Sequence, residues 1–470
     1  MLAFGMKKAP DKLSLKKLIG EWLPLKQLAE DQSAFIEDLA GWRERMRAAN
    51  FGDKSGGECR DDMLCYYKLA TQAADLFRGH SLPISFRWQD SFDKDVICAG
   101  SDFGYEAACA LFNVAAATSF MATSEDRGSE EGMKKACTYF QEAAGILNAV
   151  KDLVNRGAWP DVTPDLSINL LDALQFLMLA QAQKCFYEKA TRAGMKDAIV
   201  VKITAECAGL YKDASSRLGH ATIGGSGSKD WLEVVEWNKK LFEGMQHHYA
   251  ASAHEEAHEY GKQLSRLTYA TNRVAEAVLL CKKAPKELQE QFVTAHTVVN
   301  ERRARAKKDN DMVYNEKVPP VETLPALERK AMVKPVHPLD LLEVPPLPEP
   351  SITRQPTPSE PSAVAEVMQH LALSDAAADA ATLAAATAAA AAAAAAHAAA
   401  AAPPAPPYAL ASSYPVPGAA AGPPPPSFEA AVDSSVQQLM QMGFSQQDSV
   451  AALQKAQGSV EGAMDHLLSG

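Results

Sequence analysis

No pair among the eight cysteines has CxxC spacing: Cys59, Cys65, Cys98, Cys109, Cys137, Cys185, Cys207 and Cys281 are scattered. That argues against a zinc ribbon or a dithiol redox centre. Most of them sit in apolar helical stretches, where a reduced cysteine acts as a small hydrophobe. The opening MLAFGMKKAPDK has no apolar core of signal-peptide length. The long uncharged run, near residues 380–402, is alanine, which buries too little surface to favour insertion as Leu, Ile, Phe and Val do. No GxSxG is present, and the cysteines have no convincing histidine partner. The loop Gly224-Gly225-Ser226-Gly227-Ser228-Lys229 lacks the GK[ST] ending of a phosphate-binding loop, follows no strand, and reads as a linker. The net charge of −11 argues against general nucleic-acid binding.

What remains is an acidic, helix-rich chain of 470 residues, a length that suits two to four domains. Segments 103–120, 131–155, 165–192, 196–218, 230–253 and 256–284 carry apolar residues at spacings of three and four, which predicts helices. Breakers such as Arg156-Gly157 with Pro160 separate them. Ile84-Ser85-Phe86-Arg87-Trp88 alternates apolar and polar residues and predicts a strand of a small sheet. Successive helical hairpins of this kind stack into a solenoid.

After Leu342 the composition changes. Residues 345–427 are rich in Pro and Ala, from Pro345 to Pro426. Proline removes donors and fixes φ, so this span predicts a tether rather than a packed element. Periodicity returns in 428–470: Phe428, Val432, Val436, Leu439 and Met440, then Val450 and Leu453, then Val460, Ala463, Met464, Leu467 and Leu468. Gly443 and Gly458-Ser459 punctuate three short helices, with Ser445 and Asp448 spaced as a capping box. The expected organisation is therefore a large domain over 1–344, a linker over 345–427 and a small domain over 428–470.

Basic runs stand out against the acidic whole. Lys7, Lys8, Lys12, Lys16 and Lys17 open the chain, and Arg302, Arg303, Arg305, Lys307 and Lys308 follow later. Either could touch anionic lipid or an acidic protein; a solvated helix face is the simpler reading. His254-Glu255-Glu256-Ala257-His258 matches the HExxH pattern, with Glu276 a conceivable third ligand of a zinc hydrolase. Nothing nearby reads as the strand beside a zincin cleft, and solvated helix charges explain the motif as well. Pro406-Pro407-Tyr408 and Tyr414-Pro415-Val416-Pro417 look like short peptide ligands in a biased segment.

Met442-Gly443-Phe444, the small-residue stretch AALQKA, the turn Gln457-Gly458-Ser459 and the final Leu467-Leu468 together resemble a ubiquitin-associated (UBA) domain. The resemblance implies that Met442, Gly443, Phe444, Leu467 and Leu468 form a surface for a small apolar patch of ubiquitin. Glycine allows the tight turn that leaves two large side chains partly exposed. The alternative is an orphan three-helix module with those residues in its core.

The large domain resembles the BRO-one domain of the ALIX family of endosomal-sorting adaptors. Phe86-Arg87-Trp88-Gln89-Asp90-Ser91-Phe92-Asp93-Lys94, Gly104-Tyr105-Glu106, Leu111-Phe112-Asn113, Glu130-Glu131-Gly132-Met133 and Leu179-Ala180-Gln181-Ala182-Gln183 carry it. So do Met195-Lys196-Asp197-Ala198-Ile199, Lys307-Lys308-Asp309-Asn310-Asp311 and Tyr314-Asn315-Glu316-Lys317-Val318-Pro319. It implies an all-α, curved helical solenoid with a tetratricopeptide-like core and a small β-sheet. It also implies a cytoplasmic, non-enzymatic adaptor without a cofactor, recruited peripherally to endosomes during multivesicular-body formation. Its partner would be the C-terminal helix of the ESCRT-III filament subunit, held by Phe186, Ile199 and Ile203 with Glu130 nearby. Ile199, Val200, Val201 and Ile203 form an arc wider than one buried stripe needs, and Ile199 and Ile203 share a face. That fits an exposed groove for an amphipathic helix, although a core role fits the two isoleucines too. Unlike ALIX itself, the chain passes from this domain directly into the tether.

Overall fold

The computed structural model describes residues 1–22, 30–78, 82–221, 227–344, 446–456, 463 and 467. It is mostly helical. Three helices lead: α1 (Leu15–Trp22), α2 (Glu30–Ala48) and α3 (Gly56–Leu76). A two-stranded antiparallel sheet follows, β1 (Phe86–Gln89) and β2 (Ile97–Gly100), with Phe86 opposite Gly100 and Gln89 opposite Ile97. Then come α4 (Phe103–Ser124), α5 (Glu130–Gly157), α6 (Ile168–Arg192), α7 (Asp197–His220), α8 (Gly227–Glu256), α9 (Tyr260–Leu280) and α10 (Lys286–Asp309). Two short α-helices follow among the described residues, α11 (Leu339–Leu342) and α12 (Gln446–Lys455). From α3 to α10 each helix packs mainly on its sequence neighbours, the arrangement of a solenoid.

Side-chain caps mark where the helices begin. Ser55 and Glu58 close a reciprocal capping box at α3. Asp102 accepts the Tyr105 amide at α4, and Ser129 the Gly132 amide at α5. The expected strand at 84–88 is β1, shifted to Phe86–Gln89. The helix expected from residue 256 starts at Tyr260, because α8 runs to Glu256 and His258 then takes a left-handed φ of 56°.

α4 is the axis of the core. Every residue from Phe103 to Ser119 except Gly104 is buried, so this helix is apolar all round and has no solvent face. It is long and apolar enough to cross a membrane, yet 78% of its apolar window is covered by the protein itself. Its single buried charge, Glu106, accepts hydrogen bonds from Arg43 Nε at 2.7 Å, Tyr66 Oη at 2.6 Å and Trp88 Nε1 at 2.5 Å. α2, α3 and β1 are thereby tied to α4 through one carboxylate.

Lys7 is a correction to the expected basic start. It is 3% exposed, and its ammonium lies 2.6 Å from both Asp165 and Thr163. A charge spent on a buried pair is not offered to lipid; Lys8, Lys12, Lys16 and Lys17 are the exposed ones. The second basic run is also engaged internally: Arg302 with the His248 carbonyl, Ser252 and Glu255, Arg303 with Asn300, and Lys307 with Asp311.

An extended strap, residues 324–337, crosses the later helices. The Lys330 amide donates to the Lys202 carbonyl at 3.3 Å, and the Val336 amide to the Gln141 carbonyl at 3.0 Å. Gln183 and Gln141 add side-chain bonds to Lys330, Met332 and Lys334. The strap thus runs over α7, α6 and α5 in turn.

Candidate functional site: the α6–α7 hairpin

α6 and α7 are joined by a tight turn. The Ala193 amide donates to the Lys189 carbonyl at 2.9 Å, and the Met195 amide to the Ala190 carbonyl at 3.0 Å. Gly194 supplies the φ of +64° this closure needs, a conformation a side chain would strain. The short connection brings Phe186 at the end of α6 beside Ile199 and Ile203 at the start of α7.

These residues form one apolar cluster. Ala190, Ile199, Val200 and Ile203 are its buried members on the hairpin, with Phe186, Tyr187, Met195, Tyr249 and Met332 packed against it. Tyr187 sets its ring edge-on to Phe242, 5.3 Å between centroids, and its hydroxyl lies 3.5 Å from that of Tyr249. Burial, then Tyr249, pushes the Tyr187 hydroxyl well above its ordinary range, so it stays neutral. Asp197, in the first turn of α7, pairs with Ser252 and lies 3.6 Å from Arg302.

Glu130 opens α5 at the far side of the hairpin and is exposed. Lys189 Nζ is 3.5 Å from it, and both line a pocket of about 280 Å³ with Gly128, Met133, Arg192 and Ala193. The structure therefore brings Glu130, Phe186, Ile199 and Ile203 to one end of the α5–α6–α7 stack.

The exposure expected of the two isoleucines is not found. Ile199 is 4% and Ile203 1% exposed. Their cover includes Met332 of the strap and, from the C-terminal segment, Ala452, Leu453 and Ala463, buried members of the same cluster. A helical wheel shows which residues share a face but not what lies on it, so no signal in the 196–211 pattern revealed this. Of the ubiquitin-facing candidates, Leu467 is half-buried against the cluster. Met442, Gly443, Phe444 and Leu468 lie outside the described residues, as do Ser445 and the 224–226 part of the glycine loop.

The HExxH residues do not share a helical face. α8 ends at Glu256, and His258 has left the helix. His254 Nδ1 is 2.8 Å from Glu259, Glu255 pairs with Arg302 at 2.9 Å, and His258 lies 3.0 Å from the Tyr260 hydroxyl. Among the described residues no three His, Cys, Asp or Glu side chains converge on a point that could hold a metal.

The BRO1-like domain model matches residues 1–360, well over half of the chain, and the UBA/TS-N domain model matches residues 432–467. The chain belongs to the BRO1-domain family. It is 31% identical over 306 residues to ALG-2 interacting protein X of Dictyostelium discoideum, covering 64% of this chain and 38% of that protein. It is 29% identical over 325 residues to vacuolar-sorting protein BRO1 of Arabidopsis thaliana, covering 67% and 38%. It is 32% identical over 267 residues to tyrosine-protein phosphatase non-receptor type 23 of Mus musculus, covering 56% and only 16%. The chain thus spans between 16% and 38% of the length of these three relatives. The BRO1 fold itself is shared with the chain of the ALIX BRO1 CHMP4C complex, at TM-score 0.62 and 24% identity, over 72% of this chain and 95% of that one. A Bro1 domain structure solved as a basis for endosomal targeting aligns at TM-score 0.59 and 15% identity, over 73% and 94%.

Proposed function

We propose that this BRO1-family protein is a non-enzymatic endosomal-sorting adaptor. Its BRO1 domain would hold the C-terminal helix of an ESCRT-III filament subunit, and its UBA domain ubiquitin or ubiquitinated cargo. The observation that carries the first half is the apolar cluster of Phe186, Ile199 and Ile203 on one hairpin of a BRO1 fold. The ALIX BRO1 domain, of the same fold, was solved in complex with CHMP4C. An amphipathic helix lays its apolar face on such a surface through anchors at i, i+3 and i+4. Glu130 at the rim suits a basic residue on that helix, as a rim charge that sets orientation and on-rate more than affinity.

The match over 432–467 supports the second half. The contact patch of such a module is small, so each encounter is weak. Two weak sites on one chain gain through effective concentration when filament and cargo share a membrane. Proteins named for vacuolar sorting and endosomal targeting among the relatives and fold neighbours agree with action at endosomes from the cytoplasm. Contact with anionic lipid would fall to the exposed Lys8, Lys12, Lys16 and Lys17.

Isothermal titration with a peptide of the filament subunit's C-terminal helix tests the groove. Ile199→Asp is expected to abolish binding; equal affinity of wild type and variant removes the assignment. For the tail, a chemical-shift titration with ubiquitin should move Phe444 and Leu467. If neither signal shifts, the adaptor is a scaffold without ubiquitin binding.

A further inference from the structure

The cluster at the head of α7 is already filled by the chain itself. Ala452 and Leu453 of α12 and Ala463 beyond it are 5%, 2% and 0% exposed and belong to the cluster that contains Ile199, Val200 and Ile203. Val450, Ala456 and Leu467 pack against it. On α12, Ser449, Ala452 and Leu453 are spaced three and four apart, hence on one face. That face is buried, while Gln446, Gln447, Asp448 and Ala451 are exposed. α12 thus turns one apolar face into the cluster and leaves its polar residues to solvent.

We infer that the C-terminal module, through α12 with Ala463 and Leu467, is an intramolecular occupant of the α6–α7 surface and must leave before another helix can dock there. The inference rests on the groove assignment above for the identity of the competing partner, but the self-contact stands on the cluster alone. Side chains as deeply covered as Ile199 and Ile203 have no surface left for a second helix. The same module cannot present Leu467 to ubiquitin while that residue packs against the cluster. Ubiquitin and the filament helix therefore favour the same open form from opposite sides of one contact, and linkage makes each strengthen the other's binding. If the open form holds about a tenth of the population, the apparent Kd for a groove ligand is about tenfold above its intrinsic value.

The test uses the full chain carrying Ile199→Cys, with alkylation at position 199 followed by peptide mass. Leu453→Asp should raise that rate by about tenfold, since opening sets access to a covered group. Val450→Glu, at a half-buried position, serves as a second variant should Leu453→Asp unfold the module, and free ubiquitin should raise the rate with no change in the module. Equal rates in the parent chain, in both variants and with ubiquitin overturn the inference. Titration with the filament-helix peptide separates the two readings. Tighter binding by Leu453→Asp supports both. Faster alkylation with no peptide binding by any variant keeps the self-contact and discards the groove's assignment to ESCRT-III.

Discussion

Gln183 and Met332 are locked together: the Met332 amide donates to Gln183 Oε1 at 3.0 Å, while Gln183 Nε2 donates to the Lys330 carbonyl at 3.1 Å. One fully buried amide on α6 thus mimics the edge of a strand for the passing strap. Met332 in turn packs on the α6–α7 cluster, so the strap is part of the wall of the candidate groove. Gln183→Leu should leave two backbone groups unpaired, at about 1–3 kcal/mol. Limited proteolysis should then cut within 324–337 while the helices stay intact; unchanged resistance would show that the strap is held elsewhere.

Glu106 offers a sharper stability test. Its carboxylate answers Arg43, Tyr66 and Trp88, all buried. Burial, then the Glu106 charge, pushes the Tyr66 hydroxyl well above its ordinary range, so it acts purely as a donor here. Glu106→Gln should leave Arg43 an uncompensated buried charge and cost about 3–5 kcal/mol. Arg43→Met with Glu106→Gln should recover much of that loss in denaturant titrations. A double variant no more stable than Glu106→Gln would mean that Arg43 contributes by packing alone.

The residues that carried the family resemblance turn out to be the ones that knit the domain. Trp88 reaches Glu106, and Asp90 accepts the Phe92, Asp93 and Asp165 amides. Helices α5 to α9 were legible because each buries a stripe that periodicity reveals, and α4 because it is apolar all round. β2 was not, since Ile97–Gly100 is four residues long with no buried member. The strap was not either: its order comes from hydrogen bonds to the Gln141 and Lys202 carbonyls and the Gln183 side chain, each far away in sequence. The same reason hid the cover over Ile199 and Ile203, contributed by Met332 of the strap and by Ala452, Leu453 and Ala463 still further downstream.

Acid should weaken the α8–α9–α10 end of the domain. Burial, then Arg266, lowers His247 to about 3; burial, then Arg302, lowers His248 to about 4. The unfolded chain takes up these protons near pH 6.5, the folded one only well below. Their contribution is thus complete above pH 6.5 and lost as pH falls toward 4 and 3. Each should cost about 2 kcal/mol by pH 5. Thermal melts at pH 7 and pH 5 should show the difference, and His248→Gln should shrink it; an equal drop in that variant would place the proton uptake elsewhere.

Two glycines under the strap should respond differently to the same substitution. A Cβ on Gly145 would sit 1.9 Å from the Val336 carbonyl oxygen, which is backbone and pinned by the Val336 bond to Gln141. A Cβ on Gly209 would sit 2.0 Å from the guanidinium of Arg329, the far end of a flexible, half-exposed side chain. Gly145→Ala must therefore displace the strap itself, at about 1–3 kcal/mol. Gly209→Ala need only push Arg329 off Glu206, a 2.9 Å pair with one partner half-exposed, at less than about 1 kcal/mol. Melting temperatures of the two variants should rank in that order. Gly145→Ala alone should also speed proteolysis at 330–337, because only there does the clash fall on the main chain. A Gly209→Ala chain that loses as much stability would mean that the Arg329–Glu206 pair, rather than the backbone ladder, holds the strap to α7.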